Sequence, residues 1–113
     1  MDCLFCKIIN KEIPAKIVFE DDTVLAFEDI NPQAPVHILV IPKKHIATSL
    51  AVTEEDHALI GQLLQTANSL ARDRGVAEQG FRTVVNCNRD AGQTVFHLHL
   101  HLLAGRPMNW PPG

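Results

Sequence analysis

The alternation of hydrophobic and polar positions along the chain predicts about five strands and one long helix. Two short apolar runs, Ile17–Phe19 and Val24–Phe27, flank an acidic stretch at 20–22, which is typical of a β-hairpin with an acidic turn. Three more apolar runs of strand length predict strands over Val36–Ile41, Phe81–Cys87 and Val95–Leu103. The first of these three is rich in β-branched residues and bounded by prolines, which is typical of a central strand.

One segment has the apolar spacing of a long helix. Its first turn is acidic and follows Thr53, a residue type that caps helix N-termini. Apolar residues then recur at helical spacing from Leu59 to Ala71, and Gly75 marks the end. Several strands beside a single helix favour an α+β fold built on an antiparallel sheet. The proline-rich end, 104–113, is predicted to be an extended tail.

Composition narrows the class of protein. The 113 residues predict a single domain over 1–113, and 46% hydrophobic with 20% charged residues is typical of a globular protein. The net charge of −3 argues against partners such as nucleic acid or an anionic membrane, because both attract basic surfaces. The first ten residues lack the apolar core of a signal peptide, and no apolar run approaches the length of a membrane span. A cytoplasmic location is therefore expected.

The cysteines indicate redox or metal chemistry. Three cysteines are too few for a disulfide scaffold, and an odd number leaves at least one unpaired. Cys3 and Cys6 form a C-x-x-C pair, which in a reducing compartment is typical of a redox or metal site. Cys87 is predicted to be a small strand residue and not a ligand.

An array of histidines is the most informative feature of the chain. In a strand, side chains alternate between faces, so His97, His99 and His101 would share one face while the intervening leucines point into a core. Three buried imidazoles would each need hydrogen-bond partners, which makes a purely structural role hard to sustain. Imidazole can act as nucleophile, base or acid near neutral pH, and it can also bind a metal ion. The residues alone leave both chemistries open.

A short polar segment precedes this array. A glycine turn can aim backbone N–H groups at a phosphate, and Gly92 with Gln93 provides such a turn. Thr94 adds a hydroxyl donor next to the histidines. Beside the histidines this turn adds weight to phosphate chemistry, in which a neutral imidazole attacks phosphorus and water later cleaves the P–N bond. Metal binding by the histidines stays open as a competing use.

The array resembles the motif of the histidine-triad (HIT) family, His-x-His-x-His followed by two apolar residues. Other segments are similar to the Hint branch of that family, the nucleoside phosphoramidases, and the C-x-x-C pair is typical of its bacterial members. These segments are Lys7-Ile8-Ile9, Lys11-Glu12-Ile13-Pro14, Asp29-Ile30-Asn31-Pro32-Gln33-Ala34-Pro35, Ile41-Pro42-Lys43-Lys44-His45 and Trp110-Pro111-Pro112-Gly113. Together they cover nearly the whole chain.

The resemblance implies catalytic roles for four residues. His99 matches the family's nucleophile, which takes up a nucleoside monophosphate covalently, and His101 matches the residue that contacts the phosphate. His37 matches a partner behind the nucleophile, and Thr94 stands where Hint proteins commonly carry serine. No metal is implied for catalysis.

The resemblance also implies a nucleotide-binding set and a homodimer. Asp29 would hold the ribose hydroxyls, and Trp110 in the tail would reach toward the partner's site across a sheet shared by two chains. The residues implied around the phosphate and leaving group are Asn86, Gly92, Gln93 and Thr94, and those implied around the purine are Leu4, Phe5, Ile8, Phe27 and Ile30.

Zinc-carrying HIT relatives imply a structural metal site. They combine an N-terminal C-x-x-C with two histidines, which here correspond to His45 and His97. A set of Cys3, Cys6, His45 and His97 would be a closed tetrahedral zinc site.

The predicted function is hydrolysis of purine nucleoside phosphoramidates, including AMP–lysine adducts, through a nucleotidyl-histidine on His99. Two alternatives stay open. One is a zinc-dependent hydrolase that uses the histidine array as metal ligands, and the other is a non-catalytic nucleotide-binding or interaction protein on the same scaffold.

Overall fold

The structure, a computed structural model, describes residues 2–113 and is built on a five-stranded antiparallel sheet. The strand order is β1-β2-β3-β5-β4, so the third strand lies at the centre, as predicted from its proline-bounded apolar run. Together with one long helix, the sheet confirms the α+β fold class. The strands are β1 Ile17–Glu20, β2 Val24–Glu28, β3 Val36–Pro42, β4 Phe81–Val84 and β5 Leu100–Ala104.

The first hairpin is closed by an acidic residue, as the sequence predicts. The Asp21 carboxylate accepts hydrogen bonds from the backbone N–H groups of Thr23 at 2.9 Å and Val24 at 2.8 Å. This side chain replaces backbone partners in the tight turn between β1 and β2.

Two α-helices lie on opposite faces of the sheet. The long helix, α2 (His57–Asp73), is preceded by a 3₁₀ turn in which Thr53 and Asp56 form a capping box. Gly75 follows its end at φ +72°, a conformation that favours glycine. Its apolar face packs against Leu98, Leu100 and Leu102, so the leucines of the histidine array enter this core as predicted.

The short helix α1 (Leu4–Ile9) was not predicted from the sequence. Six residues are too few to show a helical apolar period. The Cys3 Sγ atom accepts a hydrogen bond from the Cys6 backbone N–H at 3.4 Å and so caps the first turn. Phe5 and Ile8 are buried against the face of the sheet opposite α2.

Three predicted boundaries are wrong. The last strand begins at Leu100 and not at Val95, because β3 pairs with β5 only as far as Val40 opposite Leu100. The chain before that point is held by other bonds, such as the one from Leu98 N–H to the carbonyl oxygen of Ile46.

The strand predicted to reach Cys87 ends at Val84, which pairs with His101, so Cys87 is not a strand residue. Ala104 is the last residue of β5, so the extended tail begins at Gly105 and not at 104. Across residues 2–113, no helix combines the length and apolar character needed to cross a membrane.

Candidate active site and metal cluster

Three histidine rings meet on the face of the sheet that α1 covers. β3 carries His37, β5 carries His101, and His99 lies in the segment that leads into β5. The ring centres of His99 and His101 are 5.0 Å apart, and those of His37 and His101 are 5.1 Å apart. The pairing of Leu39 with His101 sets this arrangement, because it brings His37 and His101 onto one face of neighbouring strands.

Hydrogen bonds determine which nitrogen of His37 and of His101 carries the proton. The backbone N–H of Gln33 donates to His37 Nδ1 at 3.0 Å, so the proton of neutral His37 resides on Nε2. His37 Nε2 lies 2.9 Å from His101 Nδ1, which therefore accepts. This leaves the Nε2–H of His101 free to donate to a ligand.

The orientation of His99 is set by a different bond. Its Nδ1 lies 2.7 Å from the carbonyl oxygen of His97, and since a carbonyl only accepts, Nδ1 carries the proton. In neutral His99 the other nitrogen, Nε2, then has a free lone pair. A fixed imidazole with an unprotonated nitrogen is the form that nucleophilic attack requires.

Burial keeps two of these rings neutral. Burial, with smaller contributions from the charges of His99 and His37, lowers the pKa of His101 to about 4. Burial also lowers the pKa of His37, although the Asp29 carboxylate, whose Oδ2 lies 3.5 Å from His37 Nε2, opposes the shift. At neutral pH the hydrogen-bonded chain from Gln33 to His101 is therefore uncharged.

Asp29, His37 and His101 also lie close enough to suggest a metal site, with ligand atoms within 4.8 Å of one another. The hydrogen bonds disfavour this use. A metal on His37 Nε2 would have to displace the proton there, while Nδ1 already accepts from Gln33. A neutral imidazole has an available lone pair on only one of its two ring nitrogens. His37 cannot therefore bind a metal through Nε2 and accept from Gln33 through Nδ1 at the same time.

A pocket of about 330 Å³ opens beside the histidines. Phe5 forms one side, with its ring centre 5.1 Å from that of His99 and 5.4 Å from that of Phe27, in edge-on packing. The wall contains most of the residues that the sequence analysis placed at a nucleotide: Leu4, Phe5, Ile8, Phe27, Asp29, Ile30, Thr94, His99 and His101. Ile30 lies at the rim, where it is almost fully exposed.

The glycine turn does not present its backbone to this pocket. The N–H of Gly92 donates to the carbonyl oxygen of Arg89, and the N–H of Gln93 donates to that of Asn88. Both donors are used within the loop, and the role of Gly92 and Gln93 at a phosphate stays a prediction.

The Gln93 side chain is also occupied. Its amide nitrogen donates to the carbonyl oxygens of Ala47 at 2.9 Å and Val95 at 3.1 Å, and its oxygen accepts from the Asn88 N–H at 2.8 Å. Gln93 therefore holds the loop before the histidines together, and it does not line the pocket.

Two other predicted residues lie away from the pocket wall. Asn86 is half-buried beyond the end of β4, and Trp110 is 81% exposed in the tail. The expectation that Trp110 reaches the site of a partner chain stays a prediction.

Some residues of the pocket escaped the sequence analysis. Leu39 and Val95 line it, and the Gln33 backbone orients His37. Leu39 could have been found, because it lies two residues after His37 and so on the same face of a predicted strand. The Gln33 contact depends on the loop between β2 and β3, for which the sequence has no periodic signal.

The cysteines of the C-x-x-C pair lie with two histidines, as predicted. Their sulfur and Nδ1 atoms fall within 4.8 Å of one another in a group of Cys3, Cys6, His45 and His97. The measured separations are 3.2 Å between the two Nδ1 atoms, 3.3 Å from Cys6 Sγ to His45, and 3.5 and 3.6 Å from His97 to the two sulfurs. At usual zinc bond lengths, tetrahedral ligand atoms lie about 3.3–3.8 Å apart.

The protonation of this cluster also suits a cation. His97 Nε2 lies 2.7 Å from the Pro42 carbonyl oxygen, so its proton is on Nε2 and its Nδ1 lone pair faces the sulfurs. Burial lowers the pKa of His97, which keeps the ring neutral. Burial and Cys3 raise the pKa of the Cys6 thiol, and a dication would reverse that shift by stabilising the thiolate. The donor set and its geometry fit Zn²⁺.

Comparison with known proteins identifies the family. The model of the HIT domain matches residues 10–108. The chain belongs to the HIT family. A "HIT family hydrolase" from Legionella pneumophila Philadelphia 1 has the same fold at a TM-score of 0.98, with 56% identity over 99% of this chain and all of that one.

Two plant relatives of this HIT protein are similar over most of their length. The Arabidopsis thaliana protein named "Adenylylsulfatase HINT1" is 55% identical over 97% of this chain and 76% of its own. The Zea mays protein named "14 kDa zinc-binding protein" is 54% identical over 97% of this chain and 87% of its own. Family membership and the resemblance to Hint proteins are thereby confirmed.

Proposed function

We propose that this HIT protein is a nucleotide hydrolase that cleaves purine nucleoside phosphoramidates through a nucleotidyl-histidine on His99. The observation that supports this most strongly is the bond from His99 Nδ1 to the His97 carbonyl oxygen at 2.7 Å. It leaves the opposite nitrogen unprotonated in a pocket that also contains an apolar slot and a hydrogen-bond donor.

In the first step, His99 Nε2 attacks the α-phosphorus and the P–N bond of the substrate breaks. The electron pair of that bond leaves with the amine nitrogen, which takes up a proton from water relayed by the Thr94 hydroxyl. The Nε2–H of His101 donates to a phosphoryl oxygen and stabilises the charge that develops there. Water then attacks the phosphorus of the nucleotidyl-histidine, and the bond from phosphorus to His99 Nε2 breaks with its electron pair returning to Nε2. The proton that this water loses neutralises the hydroxide left by the first step, so the monophosphate is released and neutral His99 is restored.

The nucleoside end of the pocket suits a purine. Ile8, Phe27 and Ile30 provide an apolar slot, and the flat purine ring buries well between such side chains. The Asp29 carboxylate lies on the same wall and can accept hydrogen bonds from two ribose hydroxyls. One of its oxygens already accepts from the Asn31 N–H at 2.8 Å, which holds the side chain in place.

Cys3, Cys6, His45 and His97 would hold a structural Zn²⁺, in keeping with the name of the maize relative. Such an ion would tie α1 to the sheet. It would also fix His97, whose carbonyl oxygen orients His99. The four ligands close a tetrahedral site, so the catalytic steps proposed above use the protein's own side chains.

The Arabidopsis relative's name concerns adenylylsulfate, in which the same nucleoside phosphoryl group carries sulfate in place of an amine. The proposed attack on phosphorus is common to both substrates. Sulfate needs no proton to leave, whereas an amine does, so the two substrates differ in how much they depend on the proton relay.

The test is turnover of adenosine 5′-phosphoramidate and of adenylylsulfate by the wild-type protein and two variants, each with and without a chelator. We expect His99→Ala to lose on the order of 10⁴-fold or more in kcat/KM. His57→Ala is the matched control, because His57 is exposed at the start of α2, and it should retain wild-type rates. Equal activity of wild type and His99→Ala would refute the proposal. Turnover that survives chelation would exclude a catalytic role for the metal, and a partial loss would reflect the support that the zinc gives to α1 and His97.

A further inference from the structure

The loop between β2 and β3 determines which nitrogens of His37 and His101 carry protons. The Gln33 N–H donates to His37 Nδ1 at 3.0 Å, and His37 Nε2 lies 2.9 Å from His101 Nδ1. A second arrangement would also satisfy the contact between the rings, with His37 protonated on Nδ1 and His101 donating from its own Nδ1. In that arrangement His101 Nε2 has a lone pair and no proton, so it cannot donate to a phosphoryl oxygen.

Exchange between the two arrangements leaves both rings neutral. The proton on His37 Nε2 passes to His101 Nδ1, water supplies a proton to His37 Nδ1, and water takes the proton from His101 Nε2. Only the N–H of Gln33 favours the first arrangement from the Nδ1 side of His37, because a donor there needs a lone pair. The Asp29 carboxylate favours it from the other side, with Oδ2 3.5 Å from His37 Nε2.

Little of this loop is buried. Ile30 is 99% exposed, and residues 31–33 are also exposed. Its side chains bond within the loop, as where the Gln33 amide nitrogen donates to the Asn31 carbonyl oxygen at 3.0 Å. Exposed segments with few buried apolar contacts open at low free energy. A bond from outside the loop therefore matters for where Gln33 lies.

The first residues of the tail provide such a bond. Arg106 Nε donates to the Gln33 carbonyl oxygen at 3.1 Å, and its Nη1 donates to the Pro107 carbonyl oxygen at 3.1 Å. Two bonds from one planar guanidinium hold its orientation. Gln33 is thus bonded on both sides of its Cα atom, to His37 through its N–H and to Arg106 through its carbonyl oxygen.

A second contact joins the same two segments. Val36 pairs with Ala104 in the sheet, and directly beyond this pair Gly105 packs against Pro35. A Cβ atom at position 105 would lie 2.8 Å from Pro35 Cβ, and the φ angle of Gly105 is +93°. Glycine at this position lets the start of the tail pass close to the loop, where Arg106 reaches Gln33.

We infer that Arg106 is a positioning residue of the proposed active site, because its bond to the Gln33 carbonyl oxygen keeps the Gln33 N–H on His37 and thereby a proton on His101 Nε2. The inference rests on the proposed function, in which that proton is donated to a phosphoryl oxygen. Arg106 lies outside the wall of the nucleotide pocket, so it acts through Gln33 and the two rings.

The first test is ¹⁵N NMR of the histidine rings in the full chain without substrate, since the shift of a ring nitrogen distinguishes its protonated and unprotonated forms. We expect Nε2 of both His37 and His101 to be protonated in wild type. In Arg106→Ala both should move substantially toward the second arrangement. Arg106→Lys keeps a cationic donor and should recover part of the wild-type signal.

Kinetics with adenosine 5′-phosphoramidate give the second readout. Arg106→Ala should lower kcat about fivefold, because the rate follows the fraction of molecules in the competent arrangement. KM should stay within about twofold, since the Asp29 backbone N–H is bonded to the His37 carbonyl oxygen and keeps the carboxylate in place. Arg106 is exposed, so the thermal midpoint of Arg106→Ala should stay within a few degrees of wild type.

Arg72→Ala is the matched control, because it makes the same change at an exposed arginine of α2, on the opposite face of the sheet. It should keep the wild-type ¹⁵N shifts and kcat. Unchanged His37 and His101 shifts in Arg106→Ala would overturn the inference, whatever happens to turnover. A wild-type protein that has the expected protonation but does not turn over the phosphoramidate would instead refute the proposed function, so the two failures are distinguishable.

Discussion

At the scale of single residues, backbone carbonyl and amide groups decide what each histidine can do. Carbonyl oxygens hold a proton on Nδ1 of His99 and on Nε2 of His97, so the two rings present opposite nitrogens to their surroundings. The Gln33 N–H keeps Nδ1 of His37 unprotonated. Different partners thus prepare residues of one type for the three roles proposed for them: nucleophile, hydrogen-bond donor and metal ligand.

The lowered pKa values of His37 and His101 predict how stability depends on pH. Both lie below the ordinary value near 6.5, that of His101 at about 4. Between pH 6.5 and 4 the unfolded chain therefore binds more protons than the folded one, and the free energy of unfolding decreases as pH falls. Above about pH 6.5 this contribution no longer changes.

Urea denaturation between pH 4 and 8 measures this effect. We expect His101→Gln to show a shallower decline of unfolding free energy over pH 6.5 to 4 than wild type. His57→Gln, which changes an exposed histidine, should keep the wild-type slope. The Cys and His cluster is intact in all three proteins, so its own acid sensitivity cancels. A His101→Gln protein with the wild-type slope would show that His101 is not held neutral by folding.

At the scale of elements, α1 links the cluster of cysteines and histidines to the proposed nucleotide pocket. Cys3 caps this helix and Cys6 lies within it, while Leu4, Phe5 and Ile8 from the same six residues line the pocket. So short a helix has little stability of its own. The structure of the pocket wall therefore depends on what holds the two cysteines.

This dependence predicts the effect of removing a ligand. We expect wild type to contain about one zinc ion per chain and Cys6→Ser to contain less. Cys6→Ser should also have a thermal midpoint lower by roughly 5 °C or more, since a bound structural metal stabilises the folded state. Cys87→Ser is the control, because Cys87 lies outside the cluster, and it should retain both metal content and midpoint. Metal analysis with differential scanning calorimetry provides both readouts. An unchanged midpoint in zinc-depleted Cys6→Ser would contradict a structural role.

At the scale of the whole molecule, one edge of the sheet is open beside an apolar surface. β4 is an edge strand, and a pocket of about 440 Å³ between it and α2 is lined mainly by apolar side chains, including Leu64 and Val85. Unpaired edges with apolar surroundings are suited to pairing with another chain. This is where we expect the second chain of the predicted homodimer.

Analytical ultracentrifugation tests this expectation. The wild-type protein should sediment with twice the mass of one chain, and Leu64→Glu should shift it to the monomer at micromolar concentration, because a charge would be buried in the interface. Phe19→Glu is the control, since Phe19 is also exposed but lies on β1 at the opposite edge of the sheet. A monomeric wild type, or a dimer that tolerates Leu64→Glu, would contradict this placement.

The sequence predicted the parts of this molecule that have a periodic or local signal. The alternation of histidine and leucine correctly assigned Leu98, Leu100 and Leu102 to the core although the strand begins only at Leu100. The phosphate role of the turn at Gly92 was predicted from local composition. In the structure its N–H groups donate within the loop, to the carbonyl oxygens of Arg89 and Asn88, which local composition did not indicate. Contacts between distant segments, such as Gln33 with His37, needed the fold.

The central claim is that hydrolysis proceeds through two displacements at phosphorus, first by His99 and then by water. The stereochemical course of the reaction tests this directly, with an adenosine 5′-phosphorothioamidate of one configuration hydrolysed in isotopically labelled water. Each in-line displacement inverts the phosphorus, so a covalent intermediate predicts net retention. Net inversion would show a single direct attack by water and would contradict the account.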